Sequence, residues 1–495
     1  MWMGFWYLFV CAVVLILIKH HWSRRKIYQL TCSLHGPPAL PIFGNALMFW
    51  CKEEDIFERL VKVVNNYPSP MRIWLGPKLV VAVKTAHQIE KIFTSSSASS
   101  KDDLYRFLKV FNGDSLFTST GNEWKRHKRL IAPSLSSKYM ESYVTVARRC
   151  CRMLVEKVGE VANGELIDID YYVYRFYQDV VHETLTGHNP GAQHGTMDAM
   201  ISLCHEAYVL LHSRMTKAWL HPDFIFRKSA NGKRQSYITK SLRTLLCEHI
   251  KLAPINNNDN EEFKSVYLRM LEEIEKHPEM YGNQNLMDHI VTLFSAAEDP
   301  TSTISCYLMI MLGMYPEIQD RVFKEIREVF GNGDVIERIT FKDLSRMHYL
   351  GMCIKEVLRI FPIAPFIARK LVEDLDIEDN VTLPPGSTIL LCLYHVQRST
   401  EYWKMPDEFY PEHFLPESVA NRHPYAFLPF SAGAHSCPGQ LFAISTIKAV
   451  VISILPRFVL EADGTWKDIK IKADISIRPV DGYKLRIRRR IAHSS

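Results

Sequence analysis

The sequence predicts a mainly α-helical protein with a smaller β region, preceded by a single-pass membrane helix. Three observations predict it. Helical periodicity dominates up to about residue 350, and residues 364–400 turn strand-like. At the N-terminus, Trp2 to Ile18 is an unbroken run of apolar residues and glycine.

Residues 1–20 read as a transmembrane signal anchor. At ~1.5 Å per residue the apolar run only just spans a bilayer. Lys19, Arg24, Arg25 and Lys26 follow at once, which places the remainder in the cytosol by the positive-inside tendency. A cleaved signal peptide fits poorly, because no basic segment precedes the run and no small-residue cleavage site follows it. Residues 21–46 form a basic, proline-rich connector, in which Pro37, Pro38 and Pro41 stiffen Gly36–Gly44.

Residues 47–495 read as one large body with no long linker and no internal repeat. Glu262–Glu275 has helical periodicity, and Asn256–Glu262 before it is a solvated loop. Pro316–Phe330 opens with proline at the first helical position, carries Glu317 in its first turn and is followed by Gly331. Pro384-Pro385-Gly386 marks a turn before a strand over Ser387–Val396. Gln440–Leu455 reads as a helix. In Lys484–Arg490, Leu485 and Ile487 alternate with charges, as in a half-exposed strand.

Composition narrows the function classes. With 47% hydrophobic and 23% charged residues among 495, the chain buries a large core. A net charge of +6 without a dense basic tract argues against nucleic-acid binding and fits anionic lipid or an acidic protein partner. The eleven cysteines include no C-x-x-C, so neither a disulfide framework nor a zinc ribbon is indicated, and the body belongs to a reducing compartment.

The residues that carry chemistry are few. Cys437 lies in F-S-A-G-A-H-S-C-P-G, Phe430–Gly439, directly before a helix. A helix N-terminus favours a thiolate, and a thiolate there can ligate haem iron; a small buried thiol is the other reading. Glu356 and Arg359, at i and i+3 in C-I-K-E-V-L-R-I-F-P, share a helix face. Arg369 follows in P-F-I-A-R. Trp124 and Lys128 lie one turn apart in W-K-R-H-K-R, where an indole N–H and a cation could hold two haem carboxylates. F-Y-P-E-H-F, Phe409–Phe414, comes after W-K-M-P-D, Trp403–Asp407.

In this order and spacing, these segments resemble the membrane-bound cytochromes P-450, most closely the family-4 lipid hydroxylases. The resemblance covers essentially the whole chain. It implies the cytochrome P-450 fold and non-covalent haem b, with Cys437 as the thiolate ligand of the iron and Phe430 packed beside it. Trp124, Lys128, Arg369 and His435 would contact the haem propionates. Glu356, Arg359 and His413 would form a structural lock with the P-E-x-F segment. It further implies O2-dependent hydroxylation of an apolar lipid-like or xenobiotic substrate, with electrons from NADPH-cytochrome P-450 reductase and cytochrome b5 as a further partner. The endoplasmic reticulum membrane would be its location, with the catalytic body facing the cytosol.

The chain departs from the family pattern in three places. His413 and His435 stand where arginines are usual, which replaces a permanent charge with a titrating ring. Either histidine weakens its contact or serves as a satisfied substitute. In the long helix, Leu293–Thr303 reads L-F-S-A-A-E-D-P-T-S-T. Glu298 takes the family's acid position, while Asp299 and Pro300 replace two threonines. Glu298 and Asp299 are the candidate catalytic pair, Asp299 serving as a proton donor if burial keeps it protonated. Pro300 is expected to kink the helix. Ser295 stands where some relatives esterify haem through a glutamate, hence the non-covalent haem. These changes leave two alternatives: a haem-thiolate isomerase or dehydratase that needs no O2 activation, and a non-catalytic haem- or lipid-binding protein.

Overall fold

A computed structural model describes residues 25–252, 263–281, 285–378 and 381–491, together with Trp6, Cys11, Lys19 and Trp22. The expected anchor, apart from Trp6, Cys11 and Lys19, lies outside these residues, as does Asn256–Glu262. Among the described residues no helix is long and apolar enough to cross a membrane. The architecture is mainly helical with smaller sheets. Twelve strands are described, β1 Met71–Leu75, β2 Lys78–Val83, β3 Ser100–Lys101, β4 Asn163–Asp168, β5 Ile367–Lys370, β6 Leu375–Glu378, β7 Val381–Leu383, β8 Thr388–Leu391, β9 Phe458–Glu461, β10 Ile471–Ala473, β11 Ile477–Pro479 and β12 Lys484–Arg489.

Contacts divide the chain into two compact units. The first comprises residues 1–51, 59–102 and 366–392. Its sheet runs β1-β2-β8-β5-β3, with β2 and β8 parallel. Val64, Ile73, Ala82 and Cys392 lie in its apolar core. The proline-rich connector is strapped to this sheet. Asn45 donates to the carbonyl of Pro38 at 2.9 Å and accepts the Trp74 N–H at 2.9 Å. Gly44 has φ of 59°, and a β-carbon there would fall against the Trp74 carbonyl, so a side chain would be both strained and blocked.

The second unit, residues 52–58, 103–365 and 393–495, is built around one long helix, Leu286–Met314. From Thr301 to Gly313 every residue of this helix is buried. A helix apolar nearly all round has to be covered on every side. Here the covering comes from the helices Asp170–Thr186, His348–Ile360 and Gln440–Ile454. Each fully buried Leu, Ile or Met in such a core contributes roughly 1.5–3 kcal/mol. A three-stranded sheet, β4-β12-β9, and a separate hairpin, β10-β11, complete the unit.

Several elements differ from the sequence reading. The strand expected over Ser387–Val396 ends at Leu391, and Leu393–Val396 is a short helix. The helix expected over Glu262–Glu275 is described from Val266 to Lys276, with Ser265 capping the N–H of Leu268. Pro300, where a kink is expected, lies inside the continuous α-helix Leu286–Met314 and does not interrupt it. Pro300 has no N–H for the carbonyl of Ala296. Side chains supply local bonds instead, as Thr301 Oγ1 donates to the Ala297 carbonyl and Ser302 Oγ to the Asp299 carbonyl at 3.0 Å.

Pro300→Ala restores one helix hydrogen bond and removes a ring clash. It is expected to raise stability by about 1–3 kcal/mol, read as a higher denaturation midpoint.

Candidate haem-thiolate site

The Cys437 loop is shaped by two residues with positive φ, Ser431 at 61° and Gly433 at 63°. A left-handed serine is costly, and here it turns the chain so that the Cys437 N–H reaches the Phe430 carbonyl at 2.9 Å. Phe430 is half-buried beside this turn. The helix Gln440–Ile454 begins three residues after the thiol, with Gly439 as its N-cap. Cys437 is exposed at its surface, yet protein atoms crowd its sulfur. That crowding pushes the thiol pKa up, while the Gly439 N–H and the Lys128 charge pull it down.

The structure brings Trp124, Lys128 and His435 together beside this loop. Trp124 is buried in the helix Gly121–Ile131, and its ring lies 4.0 Å from the His435 ring, centroid to centroid. Lys128 Nζ sits 5.4 Å from the Trp124 ring and donates to the Ala434 carbonyl at 2.5 Å. Arg369 belongs to β5 in the first unit, buried, with its guanidinium 5.7 Å from the Phe93 ring. Beside it, burial and then the Arg369 charge push Lys101 down to about 7.

Glu356, Arg359 and His413 also meet. Arg359 makes two bonds to Glu356, at 2.6 and 2.9 Å, and both side chains are fully buried. His413 Nδ1 lies 3.1 and 3.2 Å from the two Glu356 oxygens, contacts that need its proton on Nδ1. Its Nε2 is enclosed and has no hydrogen-bond partner. Burial pushes the Glu356 carboxyl up, but the bonds from His413 and Arg359 outweigh it and hold the group below its ordinary value. Arg359 also donates to the carbonyls of Gln397, Pro406 and Glu408 at 3.1, 2.8 and 2.9 Å.

The central helix holds Glu298 and Asp299, both buried. Tyr208 donates to Glu298 at 2.6 Å and Gln178 at 3.2 Å. Burial pushes the Glu298 carboxyl up to about 7, against the pull of Tyr174, Tyr208 and Arg478. Arg478 and Ser476 both bind the Asp299 carboxyl group, one on each oxygen. Ser295 accepts from Asn112 at 3.2 Å and donates to the Thr292 carbonyl at 3.1 Å.

Sequence reasoning missed Gln397, Tyr208, Ser476 and Arg478. Gln397 is fully buried; it donates to the carbonyls of Leu358 and Arg359 and accepts the Leu428 N–H at 3.2 Å. Arg478 belongs to no segment that the sequence pattern singles out. An arginine followed by proline in an otherwise apolar I-R-P-V was the one available signal.

A thiol before a helix N-terminus, beside an indole, an imidazole and an ammonium, is an arrangement suited to a haem thiolate. Comparison with known families agrees: the cytochrome P450 family model matches residues 34–486, and the chain belongs to that family. Cytochrome P450 4c3 of Drosophila melanogaster is 28% identical, over 96% of this chain and 93% of its own. Cytochrome P450 4V2 of Mus musculus is 28% identical over 94% and 91%. Cytochrome P450 4g1 of Drosophila melanogaster is 27% identical over 97% and 93%. The protein is thus a haem-thiolate monooxygenase in general class, and its cofactor is haem iron with a cysteine thiolate as axial ligand. The residues around Cys437 fit such a group. The thiol is surface-accessible, and Ser431 Oγ is enclosed without a protein partner.

His413→Ala leaves the Glu356–Arg359 pair with one donor fewer. Hydrogen bonds to charged groups suggest a loss of about 1.5–3 kcal/mol, measured by denaturant unfolding. Glu298 gives a pH signature. Below 4.5 its carboxyl is neutral folded or unfolded; between 4.5 and 7 only the folded protein keeps the proton, so stability falls as pH rises through that window. Glu298→Gln is expected to flatten this fall, by roughly 1–3 kcal/mol between the two ends, in unfolding measured across the window.

Proposed function

We propose that this chain uses O2 and reductase-supplied electrons to hydroxylate an apolar, lipid-like substrate, with Cys437 as the thiolate ligand of a non-covalent haem. The observation that carries the reading is the Cys437 loop with Trp124, Lys128 and His435 gathered beside it. When bound, the haem supplies O2 activation, and thiolate donation favours O–O cleavage. The protein's own residues do the rest. The Phe430 carbonyl fixes the Cys437 backbone N–H, and the Gly439 N–H favours the thiolate. Lys128, Trp124 and His435 would provide donors for the propionates. Glu298 holds a proton at its carboxyl near neutrality, steadied by Tyr208 and Gln178. Ser295 has a hydroxyl and no carboxylate, which supports haem held without an ester.

NADPH-cytochrome P-450 reductase is the proposed electron donor, with cytochrome b5 as a second partner. The apolar run Trp2–Ile18 and the basic residues after it support an anchor in the endoplasmic reticulum membrane, with residues 47–495 as the catalytic body in the cytosol. Neither an isomerase or dehydratase nor a non-catalytic binder is favoured by any of the relatives named.

The reduced, carbon-monoxide-bound protein is expected to show the red-shifted Soret band of thiolate-ligated haem, and Cys437→Ser to lose it. NADPH consumption with reductase should then rise on adding a medium- or long-chain fatty acid. A wild-type protein lacking the band, or a serine variant retaining it, overturns the assignment.

A further inference from the structure

The helix Ala230–Leu252 carries a polar face that the haem-thiolate site does not use. Ser236, Thr239, Lys240, Thr244 and Lys251 fall at i, i+3, i+4, i+8 and i+15, which sets them in one row along the helix. They line a cavity of about 550 Å³, and Val110 of the segment Lys109–Asn112 lines it from the other element. Pockets for small organic molecules measure about 300–1,000 Å³, so this one has room for more than a bare ion. Arg243 fixes its shape. Its guanidinium donates to the Phe111 carbonyl at 3.2 Å and pairs with Asp288 at 2.6 Å. Helix and segment are thereby tied together at the cavity wall.

The charges on this wall do not balance. Arg243 is answered by Asp288, and Arg234, on the same helix, by Glu206. Lys240 and Lys251 have no ion-pair partner among the described residues. Glu248 is the acid of the lining. It stands one turn from Lys251 and offsets that charge, but lies ~12 Å along the axis from Lys240. The Lys240 charge is left over. Around it the hydroxyls of Ser236, Thr239 and Thr244 face the same cavity. Thr239 Oγ1 is enclosed and has no hydrogen-bond partner. A merely solvated helix face leaves its hydroxyls open to water; an enclosed, unbonded one points to a group that bonds it when present. Farther along the row the half-buried Cys247 and, opposite, Val110 offer apolar surface.

We propose that this cavity binds a single-chain lipid phosphate. The phosphate sits on Lys240 and takes hydrogen bonds from Ser236, Thr239 and Thr244, and the first carbons of the chain run past Val110 toward Cys247. An ammonium ringed by hydroxyls suits a phosphate, whose several oxygens accept from all of them at once. The site is separate from the haem-thiolate loop and does not depend on the monooxygenase reading.

Cys247 is a built-in reporter for the test, which uses the full haem-loaded chain. Labelling by N-ethylmaleimide is followed at Cys247 by peptide mass spectrometry, with the exposed Cys32 as internal reference. Monomeric octyl phosphate, at about ten times its dissociation constant, is expected to slow labelling of Cys247 roughly tenfold and to leave Cys32 unchanged. The half-protecting concentration is expected to rise about three- to twentyfold in Lys240→Ala and about two- to tenfold in Thr239→Val. Lys324→Ala, which removes the same charge from another exposed helix position, should match wild type. A Cys247 that does not label in the free protein shows the cavity closed and overturns the site. Octanol protecting as well as octyl phosphate overturns the phosphate, and Lys240→Ala behaving like wild type overturns the anchor. Protection by phosphatidate-containing vesicles, with none by monomeric octyl phosphate, assigns the face to a membrane surface and also overturns the proposal.

Discussion

Arg359 is the residue on which the second unit depends, because its guanidinium is sealed from water and every bond it makes is within the protein. It spends two donors on Glu356 and others on the carbonyls of Gln397, Pro406 and Glu408. Truncating one partner of such a pair leaves an uncompensated charge, at about 3–5 kcal/mol. The lock also reaches the thiolate. Gln397 grips the end of the Arg359 helix through Leu358 and Arg359, and its Oε1 accepts the Leu428 N–H. Two residues later Phe430 begins the cysteine loop. Helix, loop and sulfur are therefore joined by consecutive bonds.

The central helix shows a different balance. Glu298, Asp299 and Asp170 all face the interior near one arginine, Arg478. Three carboxyls cannot all be ionised around one guanidinium in a poorly hydrated space. Asp299 keeps the contact, and burial pushes Asp170 up to about 6 and Glu298 to about 7. The surrounding apolar packing has to cover the cost of this arrangement. A residue in the helix interior as unfavourable as Pro300 is tolerated for the same reason: tertiary burial outweighs local propensity.

Much of the site was legible because its chemistry is local in sequence. Cys437 precedes its helix, Glu356 and Arg359 share one turn, and Trp124 and Lys128 share another. Pro316–Phe330 was legible to the residue, since proline and glycine bracket it. What could not be read was long-range. Arg478 lies far along the chain from Asp299, so their pairing is one that no spacing rule indicates. The strand after the Pro384-Pro385-Gly386 turn was overextended because Leu393–Val396 is apolar and suits either state. At His413 the sequence left open a weaker contact or a satisfied substitute, a choice that depends on a ring whose reach to both oxygens of Glu356 no local pattern indicates.

The order of strands has a bearing on biosynthesis. β12, Lys484–Arg489, lies between β4, Asn163–Asp168, and β9, so the middle position of that sheet is taken by nearly the last residues described. In the first unit β8 must arrive before β2 finds its parallel neighbour. Neither sheet can close on a ribosome that has released only the first half of the chain. Completed burial thus waits until residues 484–489 have been synthesised, and until then the long apolar helix Leu286–Met314 lacks its full cover.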